Sequence, residues 1–76
     1  MHKVHCVKLN MEAKGLDAPP FPTALGQRIY DNISKLSWDM WLEHQTILIN
    51  EYKLNLLDKK SRDFLQTEMK KFLFNE

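Results

Sequence analysis

The segment GLDAPPFP, Gly15 to Pro22, holds all three prolines of the chain and one of its two glycines. Proline locks φ and lacks an amide hydrogen, so neither a helix interior nor a central strand can pass through this stretch. It acts as a stiff connector between residues 1–14, too few to bury a core alone, and residues 23–76, which have room for several helices. The 76 residues together make a single domain, near the size at which one apolar core suffices without staples. Two Trp, four Phe, two Tyr and four Met supply that core, so folding need not rest on a metal or a disulfide.

Before the connector, Val4 and Val7 lie in a segment from Lys3 to Leu9 without Gly or Pro, and a second short strand fits Met11 to Lys14. The pair reads as an antiparallel hairpin turning around Asn10. After the connector, Thr23 is a natural N-cap, and Leu25, Ile29, Ile33 and Leu36 recur at helical spacing. Gly26 sits beside that stripe, where its missing Cβ would let another backbone approach. Ser34 or Ser37 can cap a second helix, along which Trp38, Trp41, Leu42, Leu48, Ile49 and Tyr52 follow the helical period. Asn55 suits a left-handed end to it. Asp58 or Ser61 can then start a third helix whose Phe64, Leu65, Met69, Phe72 and Leu73 share one side. The expected fold class is α+β: a short N-terminal antiparallel β-hairpin, then three α-helices packed around the tryptophan-bearing central one.

Several polar residues interrupt the apolar faces. Gln45 falls inside the arc of Trp38, Trp41, Leu42, Leu48 and Ile49, so its amide is expected to be buried and bonded to backbone of the connector or hairpin. Glu68 lies within the third helix's stripe, where a carboxylate calls for a partner such as Arg28 or Arg62, or else for a functional pocket that raises its pKa. Met40 and Ile47, with His44 and Glu51 beside them, lie opposite the main stripe of the second helix. They mark either a helix covered on both sides or an apolar patch for a protein partner.

Eleven Lys and Arg against ten Asp and Glu give a net charge of +1, far from the basic excess that phosphate-backbone binding needs, so nucleic acid is not an expected partner. No run of about 18 apolar residues predicts a membrane span, and no signal-peptide pattern opens the chain. One cysteine makes no internal bridge, which points to a reducing cytoplasm. The opening MHKVHCVKL crowds His2 and His5 around that cysteine, Cys6. In a strand, His5 and Cys6 point to opposite faces while His2 and Cys6 share one. A tetrahedral metal site wants four Cys or His ligands at recognisable spacing, and no protein-only cage is legible. Cys6 reads either as an inert apolar residue or as a thiol made reactive by nearby Lys3, Lys8 or a protonated histidine. Nothing fixes a base and an orienting group for nucleophilic catalysis, so an enzyme is not expected.

Residue by residue, the chain resembles the bacterial Fe(II)-trafficking proteins of the YggX type. The matching positions are Cys6, then Glu12, Ala13 and Gly15 of EAKG with Asp17 after it. They continue in FPTALGQRIYDNIS, through Trp38 and Trp41, along QTILINEYKLN, and on to Arg62, Glu68, Met69 and the closing FLF. The resemblance implies a small monomeric cytoplasmic protein of two short strands and three helices. It implies Fe(II) supply to biosynthetic processes and protection or repair of iron-sulfur clusters under oxidative stress. It also makes Cys6 the expected functional thiol, redox-active or oxidant-protecting and a transient iron contact; the nearby carboxylates Glu12 and Asp17 are set beside it as further candidate iron contacts on the working surface. Neither His2 nor His5 belongs to the family pattern. No ligand set is carried over, which suits weak or transient Fe(II) binding. Two other readings stay beside it: a module that docks on iron-sulfur enzymes or their cluster assembly machinery without binding iron, and a thiol antioxidant.

Overall fold

The structure is a computed structural model that describes residues 2–76. Its element order is strand β1 (Lys3–Cys6), strand β2 (Met11–Lys14), helix α1 (Ala24–Asn32), helix α2 (Lys35–Tyr52) and helix α3 (Lys59–Phe74). The α+β architecture expected from the sequence is the one observed.

The two strands pair antiparallel with Lys3 opposite Lys14, Val4 opposite Ala13, His5 opposite Glu12 and Cys6 opposite Met11. Alternation along β1 buries Val4 and Cys6 and exposes Lys3 and His5, so one face of the hairpin lies on the helices. The first strand stops at Cys6 rather than running to Leu9, because the next residues are taken by other parts of the fold. The Val7 amide donates to Asn32 O (3.0 Å). Lys8 Nζ donates to Phe72 O (2.9 Å) and lies over the Phe72 ring, 3.8 Å from its centre. Asn10 closes the turn in the left-handed region at φ 52°, a conformation asparagine tolerates well.

Gly15 donates to His2 O (2.8 Å) and forms an isolated antiparallel bridge with Ser34, tying the end of β2 to the start of α2. The connector then sends Leu16 into the core. At α1, Thr23 Oγ1 caps the Gly26 amide (3.2 Å). The close approach expected at Gly26 is that of the chain's own Phe21 backbone, which occupies the space a Cβ would need. The apolar stripe does not continue from Ile33 to Leu36 as the spacing suggested. Ile33 leaves the helix in extended geometry (φ −121°, ψ 130°), and Leu36 belongs to α2, where it is 60% exposed.

Ser34 is the N-cap of α2, accepting from the Ser37 amide at 3.1 Å. Trp41 and Leu48 are buried, Trp38 and Ile49 pack partly buried, and Leu42 and Tyr52 remain exposed. The buried face is thus narrower than the periodicity predicted. Lys53, not Asn55, takes the left-handed position at the C-terminus (φ 51°), with the Leu54 amide closing on Ile49 O (3.0 Å). Asn55 builds the following turn instead, its Oδ1 accepting from Leu57 N (3.0 Å) and its carbonyl from Asp58 N (2.9 Å). Asp58 caps α3, on which Ser61, Leu65, Met69 and Leu73 are buried at a spacing of four. Leu16, Ile29, Ile33, Trp41, Leu48, Leu65, Met69 and Leu73 form one core, with Trp41 of α2 the largest fully buried side chain.

Candidate functional site

Cys6 ends β1 on its buried face and has no exposed surface. The sheet places it against the first turn of α2, where Sγ lies 3.2 Å from Ser37 Oγ. Ser34 Oγ in turn donates to Ser37 Oγ (3.2 Å) while accepting from the Ser37 amide. Burial opposes ionisation of the thiol, but hydrogen bonds from the Ser34 and Ser37 side chains, with backbone bonds at Ser34 and Leu9, outweigh it. The Cys6 pKa falls from 9.0 to about 7. The N-terminal end of a helix, rich in unpaired amide hydrogens, is a favourable place for such a charge. A larger share of the sulfur is therefore thiolate at neutral pH than for an ordinary cysteine.

The two histidines play other parts. His2 shares the inner face of the hairpin with Cys6, but its ring stacks flat on Tyr30, with centroids 4.2 Å apart and planes 5° from parallel. Its Nε2 lies 3.1 Å from Tyr30 O, and the ring covers Gly15 closely enough that a Cβ there would have to displace it. His5 is on the exposed face with Nε2 3.3 Å from Asn10 Oδ1. Glu12 stands opposite His5 and so faces away from Cys6. Asp17 is exposed on the connector. The structure therefore does not bring Cys6, Glu12 and Asp17 together. Among the described residues, no three His, Cys, Asp or Glu side chains converge as a metal-holding group.

The polar residues of the helices differ from expectation in a consistent way. Gln45 is half-buried rather than enclosed, and its amide lines an open groove, where water can satisfy it without a backbone partner. Glu68 pairs with Lys71 three residues along the same helix (3.2 Å), not with Arg28 or Arg62. Arg28 is engaged by Glu76 and lies over the Phe74 ring. His44 does not join the outer side of α2, because its ring stacks on Phe72 at 4.9 Å beside Trp41. On that outer side Met40 is half-buried and Ile47 is 51% exposed. Leu36, assigned from spacing to the first helix, extends their row.

Ser34 and Ser37 are the site residues that sequence reasoning missed. Both were visible as alternative caps, and a serine pair three apart at a helix start was the available signal. What spacing could not show is that β1 delivers its cysteine to that cap.

A family model described as bacterial Fe(2+) trafficking matches residues 1–76. A "Probable Fe(2+)-trafficking protein" of Nitrosococcus oceani is 62% identical over 73 residues, covering 96% of this chain and 81% of the relative. Its namesake in Halorhodospira halophila is 61% identical over 74 residues, covering 97% and 82%. A third, from Hydrogenovibrio crunogenus, is 61% identical over 71 residues, covering 93% and 79%. With the full-length family match, identity at this level over nearly the whole chain places it in the bacterial Fe(2+)-trafficking family.

Proposed function

We propose that this protein is a non-enzymatic, cytoplasmic, monomeric carrier of Fe(II) that supplies biosynthetic processes and protects or helps repair iron-sulfur clusters under oxidative stress, with Cys6 as its functional thiol. The observation that carries the reading is the Cys6 sulfur set into the Ser34–Ser37 turn of α2 with its pKa lowered to about 7, in a chain of the Fe(2+)-trafficking family. A thiolate is the form that both contacts Fe(II) and reacts with oxidants. Toward a hydroperoxide, the sulfur attacks one peroxide oxygen, the O–O bond breaks, hydroxide or alkoxide leaves, and a sulfenic acid forms. Toward Fe(II), Cys6 on one face of the hairpin and Glu12 on the other cannot ligate one ion together. An ion held by few protein donors and by water, or shared with a client protein, exchanges readily, as transfer requires.

An anaerobic Fe(II) titration of the wild type and Cys6→Ser, followed through backbone amide shifts, tests this. Saturable shifts around Cys6 that weaken in the variant are expected, with Glu12 and Asp17 reporting any further contact. No saturable shift in either protein would overturn direct carriage.

A second reading, docking on an iron-sulfur enzyme or cluster assembly protein without iron binding, is favoured by the row Leu36, Met40 and Ile47 on the outer side of α2, two of them more than half exposed. Ile47→Lys should then abolish association with a purified iron-sulfur enzyme or cluster assembly protein while circular dichroism and the Fe(II) response stay unchanged. Undiminished association would remove this reading.

A further inference from the structure

A groove of about 680 Å³ opens between the connector, α2, the α2–α3 loop and α3. Trp41, Leu65 and Met69, all buried core residues, form its floor, and Phe21 and Leu56 wall it. Around this apolar floor are the side chains of Gln45, Gln66 and Arg62. Arg62 is the only charged residue of the lining, and no carboxylate pairs with it among the described residues. Neither amide is committed to a hydrogen bond there. An apolar cavity of several hundred Å³ with a few convergent polar groups is the usual form of a small-molecule site.

The chemistry of the lining selects the ligand. It offers no Cys, His, Asp or Glu, so it is unsuited to Fe(II) and separate from the Cys6 site. A planar guanidinium with five N–H donors matches a carboxylate in a two-point arrangement, and Gln66 follows Arg62 by one turn of α3, so its amide lies on the same side of the helix as a further donor. We infer that this groove binds a small amphipathic monocarboxylate, its chain or ring on Trp41, Leu65 and Met69 and its carboxylate on Arg62. The inference stands independently of the iron reading.

Octanoate, octanol and octylamine, titrated against the protein below their aggregation limits, test it through the Trp41 indole and Met69 methyl resonances. Octanoate is expected to saturate, octanol to bind at least about tenfold more weakly for lack of the charge-assisted bonds, and octylamine more weakly still. Arg62→Ala, at an exposed position, should remove the advantage of octanoate over octanol while leaving the circular dichroism and the Fe(II) response of the wild type. Arg62→Lys should retain part of that advantage. Equal binding of octanoate and octanol, an unchanged preference in Arg62→Ala, or no saturation up to the solubility limit would overturn the inference. So would binding of an acidic, leucine-containing peptide in the absence of octanoate binding, which would make the occupant a protein segment.

Discussion

The lowered thiol pKa has a consequence for stability that can be calculated and measured. Cys6 ionises at about 7 in the folded protein and near 9.0 when exposed in the unfolded chain. Because the folded value is the lower one, the unfolded state holds more protons between those limits, and stability rises with pH across the window. The contribution fades as pH falls through 7 and disappears well below it, where both states carry the neutral thiol. By pH 8 it amounts to about 1.4 kcal/mol, and above pH 9 it levels off near about 2.7 kcal/mol, from about 1.36 kcal/mol for each tenfold difference in ionisation. The assay is urea unfolding of the wild type and Cys6→Ser at intervals from pH 6 to pH 9.5 under reducing conditions. Serine does not titrate in this range, so the constant cost of the substitution cancels and the pH-dependent difference belongs to Cys6. A difference that opens from pH 7 and grows by at least about 1 kcal/mol before pH 9 is expected. A flat difference, or one that shrinks as pH rises, would show that burial of the sulfur dominates its surroundings, and the argument from Ser34 and Ser37 would fail.

Ser34→Ala removes the oxygen that accepts from the Ser37 amide and a hydrogen bond that favours the Cys6 thiolate. It should cost about 1 kcal/mol of stability as a lost cap and move the thiol pKa from about 7 back toward 9.0, read by ultraviolet thiolate absorbance. A lost cap with an unmoved pKa would separate the two roles. Gly26→Ala gains about 1 kcal/mol of helix propensity but drives its methyl into the Phe21 backbone. Displacing that segment also disturbs the Thr23 cap, so the net loss should be about 1–2 kcal/mol and the Tm should fall by roughly 5–15 °C. A raised Tm would refute the close approach. Gly15→Ala meets chiefly the movable His2 ring, and its loss should be smaller.

The proline-rich connector, the Thr23 cap, the narrowing of the next two caps to Ser34 or Ser37 and to Asp58 or Ser61, and the Trp41 and Leu65–Met69–Leu73 faces were legible because each depends on residues close in sequence. Leu36 and Asn55 were misplaced for the same reason. Periodicity runs straight through a break that is set by the bridge between Gly15 and Ser34, and Lys53 takes the left-handed turn that asparagine would favour on propensity alone. Gln45 and Glu68 were read as buried polar groups because a helical wheel assumes a closed core. The groove leaves Gln45 half-buried with a side open to solvent, and Lys71 lies within reach of Glu68. Cys6 was singled out by the family resemblance, but its serine neighbours lie 28 and 31 positions away, beyond the reach of local patterns.

A thiolate with no exposed surface cannot meet an oxidant or an iron ion until the fold opens above it, so the proposed chemistry is tied to the loop that follows β1. That loop is held by the Val7 amide on Asn32 O and by Lys8, which both bonds Phe72 O and lies over the Phe72 ring. Lys8→Ala removes one charge-assisted bond and one cation–π contact, together about 1–2 kcal/mol, without touching Cys6, Ser34 or Ser37. The open population, which is small in any well-packed protein, should rise roughly tenfold. Oxidation of Cys6 by hydrogen peroxide should accelerate by the same factor as hydrogen exchange at the Val7 amide, because one opening exposes both. An unchanged oxidation rate beside faster Val7 exchange would mean that the sulfur is reached by another route, and the hairpin loop would lose its place in the chemistry of the thiol.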